Sequence, residues 1–152
     1  MSERETELRP FIFGKDGASQ RLATLLLREA ISYGDTGDDP VEQYVRLAAG
    51  KRNYGLFRQA VLLGGASLYE ASIETEASAS IFAMGIFEEH RRQGYGKQLL
   101  DGLEAHVGLL GVQIMATIPT AESAAFFEHR GYINLPEGTD YYVKPLPPLE
   151  EK

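Results

Sequence analysis

The chain has 152 residues, 43% of them hydrophobic and 24% charged, the proportions of a globular protein able to bury about two-thirds of its unfolded-chain surface. With no cysteine it has no disulfide, thiolate metal site or cysteine nucleophile, and its three histidines lack metal-ligand spacing, so no metal is expected. A formal net charge of −7 argues against a nucleic-acid partner. No run approaches the ~20 apolar residues of a membrane span, and the polar start MSERETELRP lacks a signal-peptide core. A cytoplasmic location without membrane contact is the expectation.

Leu8–Phe13 reads as a first strand, ended by the turn Gly14-Lys15-Asp16-Gly17. Ser19–Tyr33 carries Leu22, Leu25, Leu26 and Ile31 in a helical pattern, and Gly34 stops it. After the polar loop GDTGDDP, Asp39 suits an N-cap, Pro40 the first helical position and Gly50 the end of a second helix. Val41, Tyr44, Val45 and Ala48 form its apolar side. Asn53–Phe57 and Ala60–Tyr69 are strands joined by Arg58-Gln59, and Gly64-Gly65 predicts a bulge or a close backbone approach. Glu70–Ala77 reads as a polar turn, and Ser78–Phe87 as the central strand. A helix follows and ends at Gly111, then a strand over Val112–Ile118. Thr120 caps a short aromatic helix that Gly131 closes, and Ile133–Leu135 with Asp140–Val143 form a terminal hairpin. The whole is an α/β chain with a mixed sheet of about seven strands. Residues 1–146 form one domain, and 147–152 a loose, proline-rich acidic tail.

The stretch Ile81–Leu110 carries the chemistry. An apolar strand, IFAMGIF, runs into the loop EEHRRQGYGKQ, and Leu99, Leu100, Leu103, Val107 and Leu110 then line one face of a helix. The first N–H groups of such a helix lack intrahelical partners, glycines bare them, and the dipole adds about half a positive charge. That is a cradle for an anion such as phosphate. Spacing alone leaves a plain strand-to-helix loop equally open. The dinucleotide fingerprint fails because Leu99 stands where its third glycine belongs, and no Gly-Lys-Ser/Thr of a Walker loop follows.

Arg91-Arg92-Gln93-Gly94-Tyr95-Gly96 resembles the acetyl-CoA loop, Arg/Gln-x-x-Gly-x-Gly/Ala, of GCN5-related N-acetyltransferases, the GNAT superfamily. Thr120–Tyr132, TAESAAFFEHRGY, looks like that family's second signature, an aromatic helix followed by Gly and an aromatic. The two ordered motifs bring most of the C-terminal half, Ile81–Leu146, under the resemblance. It implies the GNAT fold, with about seven mostly antiparallel strands, four helices and splayed central strands. It also implies acetyl-CoA as co-substrate and a primary amine, of a small molecule or a protein, as acceptor. Dimers are common in the family, so a homodimer is one expectation.

The resemblance further implies that Met84, Gly85 and Ile86 offer backbone to the pantetheine arm. The diphosphate would lie across Arg91, Arg92, Gln93, Gly94, Tyr95, Gly96 and Lys97, with Arg92 and Lys97 adding charge. Phe126 and Phe127 would stand beside the thiol end, although aromatics on a helix are also plain core. Thr120 and Ser123 could reach the cofactor, and Thr120 could equally serve only as a helix cap.

Two departures bear on catalysis. Many relatives have, where Phe127 stands, a tyrosine that reprotonates the leaving thiolate, and another branch has a glutamate base where Ser80 stands. Phenylalanine cannot donate a proton and serine is too weak a base. Glu70, Glu74 and Glu76, and Tyr132, Tyr141 and Tyr142, are candidates that nothing in the sequence singles out. The catalytic residue therefore stays unknown at this stage. A degenerate acyl-CoA-binding or protein-interaction module of the same fold is the alternative.

Overall fold

The computed structural model describes residues 6–29, 39–73, 76–120, 123–135 and 137–147. Its elements keep the expected order. They are β1 (Glu7–Pro10), α1 (Gly17–Glu29), α2 (Pro40–Leu47), β2 (Arg52–Arg58), β3 (Val61–Ile73) and β4 (Glu76–Ile86). A 3-10 turn (Glu88–His90), α3 (Tyr95–Leu109), β5 (Ile114–Thr117), α4 (Ala124–His129), β6 (Ile133–Asn134) and β7 (Tyr142–Pro145) follow. The strands hydrogen-bond in the order β1-β2-β3-β4-β5-β7-β6. β4 and β5 run parallel, which requires a crossover, and α3 supplies it. The pairs β1–β2, β2–β3, β5–β7 and β6–β7 are antiparallel. This is the mixed, mostly antiparallel sheet that the sequence predicts.

The polar turn expected over Glu70–Ala77 is largely strand. β3 continues through Ile73 and β4 starts at Glu76, so two long strands replace a loop. The segment is polar enough to resemble a turn, but pairing in the sheet holds residues 70–73 and 76–77 in strand whatever their polarity. β1 stops at Pro10, short of the predicted Phe13, although the Phe11 N–H still donates to the Asn53 carbonyl at 2.9 Å. The expected end of the first helix at Tyr33–Gly34, Glu74 and the tail from residue 148 lie outside the described residues.

The chain falls into two compact units, Met1–Leu68 with Phe82–Leu103 and Tyr69–Ile81 with Glu104–Lys152. In the first, α1 and α2 supply the core. Leu22, Leu26 and Tyr44 are wholly buried and pack with Leu25, Ala48, Ala83 and Phe87. Each leucine side chain so buried contributes roughly 1.5–3 kcal/mol. Both helices are capped by aspartate. The Ser19 N–H donates to Asp16 Oδ1 at 2.8 Å, and the Val41 N–H to Asp39 Oδ1 at 2.8 Å, with Pro40 at the first helical position as predicted. A buried polar chain ties α2 to the sheet. The Tyr44 hydroxyl donates to Ser67 Oγ (2.5 Å), which donates to Asn53 Oδ1 (2.5 Å). Burial pushes the Tyr44 pKa upward, so the phenol stays neutral.

The predicted close approach at Gly64-Gly65 is real and shapes the end of β4. A Cβ on Gly64 would lie 2.2 Å from the Gly85 carbonyl oxygen and 2.8 Å from the Ile86 Cα. The β2–β3 register also slips between Leu56↔Gly64 and Phe57↔Leu62, leaving Leu63 as an extra residue, a bulge. The Leu63 carbonyl accepts the Phe87 N–H at 2.9 Å. Glycine and bulge together let β4 end tight against β3, which fixes where the following loop begins.

In the second unit, β4 and β5 pair from Ser78↔Ile114 to Ile81↔Thr117, while β4 itself runs on to Ile86. Gly111 (φ +91°) and Gly131 (φ +95°) end α3 and α4 in left-handed turns, as predicted. The N–H groups of the residues that follow, Val112 and Tyr132, return to the carbonyls of Val107 and Phe127 at 3.0 Å each, the Schellman arrangement. Glu104 joins three elements by accepting from the Tyr132 hydroxyl and the Lys144 Nζ, both at 2.8 Å.

Candidate functional site

The loop from Ile86 to Lys97, which carries the first signature, lies in the first unit. The 3-10 turn closes with the His90 N–H on the Phe87 carbonyl (2.9 Å) and the Arg91 N–H on that of Glu88 (3.2 Å). Next along the chain to find a carbonyl is the Gln98 N–H, on Gly94 at 3.2 Å. Among the described residues the backbone N–H groups of Arg92 through Lys97 make no hydrogen bond. Gly94 adopts φ +83°, a conformation open to glycine at no steric cost, and thereby turns the chain into α3.

Charge adds to this. The first turn of α3 holds no acidic residue and does hold Lys97, an arrangement the helix dipole disfavours unless an anion is present. Arg92, Gln93 and Lys97 are all exposed, and no described residue pairs with any of their side chains. A run of free N–H groups with three cations within seven residues is an arrangement whose hydrogen-bonding capacity and charge suit an anion.

Side chains within the motif divide by task. Tyr95 is buried at 5% exposure and its hydroxyl accepts from Arg58 Nη1 at 2.9 Å, so the loop offers a ligand only this residue's backbone. Arg58 was invisible to sequence reasoning, since the pair spans 37 positions. Arg91 Nε donates back to the Ile86 carbonyl at 3.0 Å, stapling the loop to the end of β4. Met84 and Gly85 are half-buried on β4 and Ile86 is buried. Leu25 of α1 presses on Gly85, since a Cβ there would come within 3.2–3.3 Å of its side chain.

The start of α4, which carries the second signature, lies in the other unit. Thr120 and Ser123 satisfy each other. The Thr120 N–H donates to Ser123 Oγ (2.9 Å), the Ser123 N–H to Thr120 Oγ1 (3.2 Å), and the two hydroxyls lie 3.0 Å apart. The Thr120 carbonyl also accepts the Ala124 N–H at 3.0 Å, so Thr120 does cap the helix. Phe127 is 5% exposed and makes edge-on contacts with Phe126 and Tyr132, each with centroids 5.3 Å apart. Phe127 is core, as aromatics on a helix usually are.

Proton-transfer groups are scarce. Ser80 is half-buried on β4, and the buried Tyr132 has its hydroxyl committed to Glu104. Tyr141 is exposed and Tyr142 half-buried. The side chains of Glu70, Glu74 and Glu76 lie outside the described residues. No described residue stands out as a base. Among the described residues no group of three His, Asp or Glu side chains is placed to hold a metal, and no helix is long and apolar enough to cross a membrane.

Comparison with known proteins shows the family and the fold. The acetyltransferase (GNAT) family profile matches residues 19–132, three-quarters of the chain, so the protein belongs to the GNAT acetyltransferase family. The fold is that of an acetyltransferase from Thermus thermophilus, at 23% identity and a TM-score of 0.70, covering 96% of this chain and 100% of that one. It is also that of a GNAT family acetyltransferase from Elizabethkingia anophelis with acetyl-CoA bound (16% identity, TM-score 0.66, 94% and 99% covered). The ribosomal-protein-S18-alanine N-acetyltransferase of Escherichia coli shares it too, at 16% identity and a TM-score of 0.61, with 97% of each chain covered. No curated protein matches the sequence.

Proposed function

We propose that the protein is an acetyl-CoA-dependent N-acetyltransferase that transfers the acetyl group to a primary amine by direct attack on the thioester. The observation that carries this is the unpartnered backbone from Arg92 to Lys97, beside exposed Arg92 and Lys97 and with no acid in the first turn of α3. A diphosphate fits such a cradle, with charge-assisted contacts of about 1.5–3 kcal/mol each. The backbone of Met84, Gly85 and Ile86 is the reading for the pantetheine arm. The family resemblance gives Thr120, Ser123, Phe126 and Phe127 their role toward the same cofactor.

The chemistry needs little from side chains. A neutral amine nitrogen attacks the carbonyl carbon, the new C–N bond forms, the C–S bond breaks, and CoA leaves as a thiolate. Water carries the amine proton to solvent or to a nearby carboxylate. Backbone N–H groups of the central strand polarise the carbonyl as oxyanion donors. The lack of a tyrosine at Phe127 and of a glutamate at Ser80 favours a second reading, an acyl-CoA-binding module without turnover.

Calorimetric titration with acetyl-CoA and with desulfo-CoA tests the cofactor, and a panel of primary amines followed by CoA release tests turnover. Micromolar binding of both ligands with amine-dependent release supports the enzyme. Binding without release on any amine supports the module, and no binding to either ligand refutes both.

A further inference from the structure

A second recess, wholly within the first unit, lies between α1 and the turn that follows β4. It is a cleft of about 360 Å³, at the lower end of the roughly 300–1,000 Å³ typical of small-molecule sites. Leu25 and Phe87 give it an apolar floor, and both are more than nine-tenths buried. Around them stand Arg21, Arg28 and Arg91, opposed by Glu88 and Glu89.

The internal pairing decides which charge is left over. The Arg21 guanidinium lies over the Phe87 ring, 4.2 Å from its centroid, and Nη2 donates to Glu89 Oε2 at 2.5 Å. The place a cationic ligand would take, over the aromatic face and beside a carboxylate, is thus filled by the chain's own arginine. The Glu89 carboxyl is held below its usual range by its own backbone N–H first and then by Arg21, so it stays ionised and spent. Arg91 uses Nε on the Ile86 carbonyl and keeps its two terminal nitrogens. Arg28 makes no hydrogen bond or ion pair among the described residues. Two guanidinium groups therefore remain unsatisfied at an apolar floor, against the single carboxylate of Glu88. Their planar forks match a carboxylate.

We propose that this cleft binds a small organic carboxylate with an apolar body, the carboxylate on Arg28 and Arg91 and the body on Leu25 and Phe87. The cleft shares Arg91 with the loop before α3 but none of its free N–H groups, and the proposal does not depend on the acetyltransferase reading.

The test is a titration of the full chain with benzoate, benzylamine, acetate and inorganic phosphate, followed by calorimetry or amide chemical shifts. The expected result is saturable benzoate binding, weaker acetate binding and none by benzylamine. Arg28→Gln should weaken benzoate at least about tenfold, as loss of one charge-assisted hydrogen bond implies. Arg28→Lys should restore part of it. Lys97→Ala should leave benzoate binding unchanged, because that exposed side chain is not part of the cleft's lining. Arg28 is exposed on α1, so its variants should keep the wild-type melting curve. Any one of four results overturns the proposal: no saturation by benzoate, benzylamine binding as well as benzoate, phosphate binding with the same Arg28 dependence, or benzoate binding lost in Lys97→Ala and kept in Arg28→Gln.

Discussion

The loop before α3 and the start of α4 carry the family's two signatures, and they handle their polar groups in opposite ways. From Arg92 to Lys97 the backbone leaves its N–H groups without partners and the side chains stand clear of one another. From Thr120 to Phe127 the hydroxyls bond to each other and the aromatics bury against Phe126 and Tyr132. One region keeps hydrogen-bonding capacity open; the other has used its own. The contrast teaches that a binding motif is marked by unmet hydrogen-bonding capacity, more than by the residue types it contains.

Substitutions can break that contrast, and the largest effect should fall on the α4 region. Phe127→Ala removes a side chain that is 5% exposed and should cost about 3–5 kcal/mol of stability, read as a lower denaturant midpoint. If the midpoint hardly moves, the α4 region is not the core it resembles. Gly94→Val should do the reverse. A Cβ at this position meets nothing within 4 Å, so the fold should survive, while a β-branched residue at φ +83° pulls the loop out of shape. Acetyl-CoA affinity should fall by roughly two orders of magnitude, or about 2.7 kcal/mol. Unchanged affinity would remove the loop from the site.

Glu104→Gln sits between these extremes. It leaves Lys144 without its carboxylate and weakens the acceptor of the Tyr132 hydroxyl, so about 1–3 kcal/mol of stability should go, with cofactor binding untouched. Lys97→Ala should lower acetyl-CoA affinity about tenfold at low salt and much less at about 0.5 M salt, because an exposed cation is screened. A salt-independent loss would mean that Lys97 acts through the loop's shape.

The smallest effect concerns a cap outside both regions. The Asp39 carboxyl is held below its ordinary 3.8 by the Gln20 amide first and then by the Val41 N–H. A lowered folded-state pKa means stability that is full above the unfolded value and is lost as pH falls through the folded one. Asp39→Asn keeps a capping oxygen but no charge. Its melting temperature should sit slightly below wild type at neutral pH, and the two should converge in acid, once the pH has fallen through the lowered pKa and the wild-type carboxyl is protonated. A gap that persists in acid would show that the charge is not what matters.

What the sequence made legible were features set by local chemistry. The Asp39-Pro40 start of α2, the left-handed ends at Gly111 and Gly131, and the Gly94 turn each depend on one or two neighbouring residues. Illegible features depended on distant partners. The strand character of Glu70–Ile73 comes from the ladder, and the commitment of Tyr95 to Arg58 comes from another strand. The cleft beside α1 could not be seen either, because Arg28 and Arg91 stand 63 positions apart and only the fold makes them line one recess. A motif names the positions; tertiary packing decides whether a ligand meets the backbone or the side chain.

One residue of the loop bears on what selection would do to it. Arg92 has φ +65°, and with Gln59 it stands at positive φ without being glycine among the described residues. The left-handed conformation costs an L-residue about 1–2 kcal/mol. Glycine at this position would relieve that strain and remove one of the loop's charges. A library selected for heat resistance alone should therefore drift to glycine at position 92, whereas one selected for cofactor capture at cellular salt should hold a cation there. The identity of this residue would record which of the two demands a variant had been under.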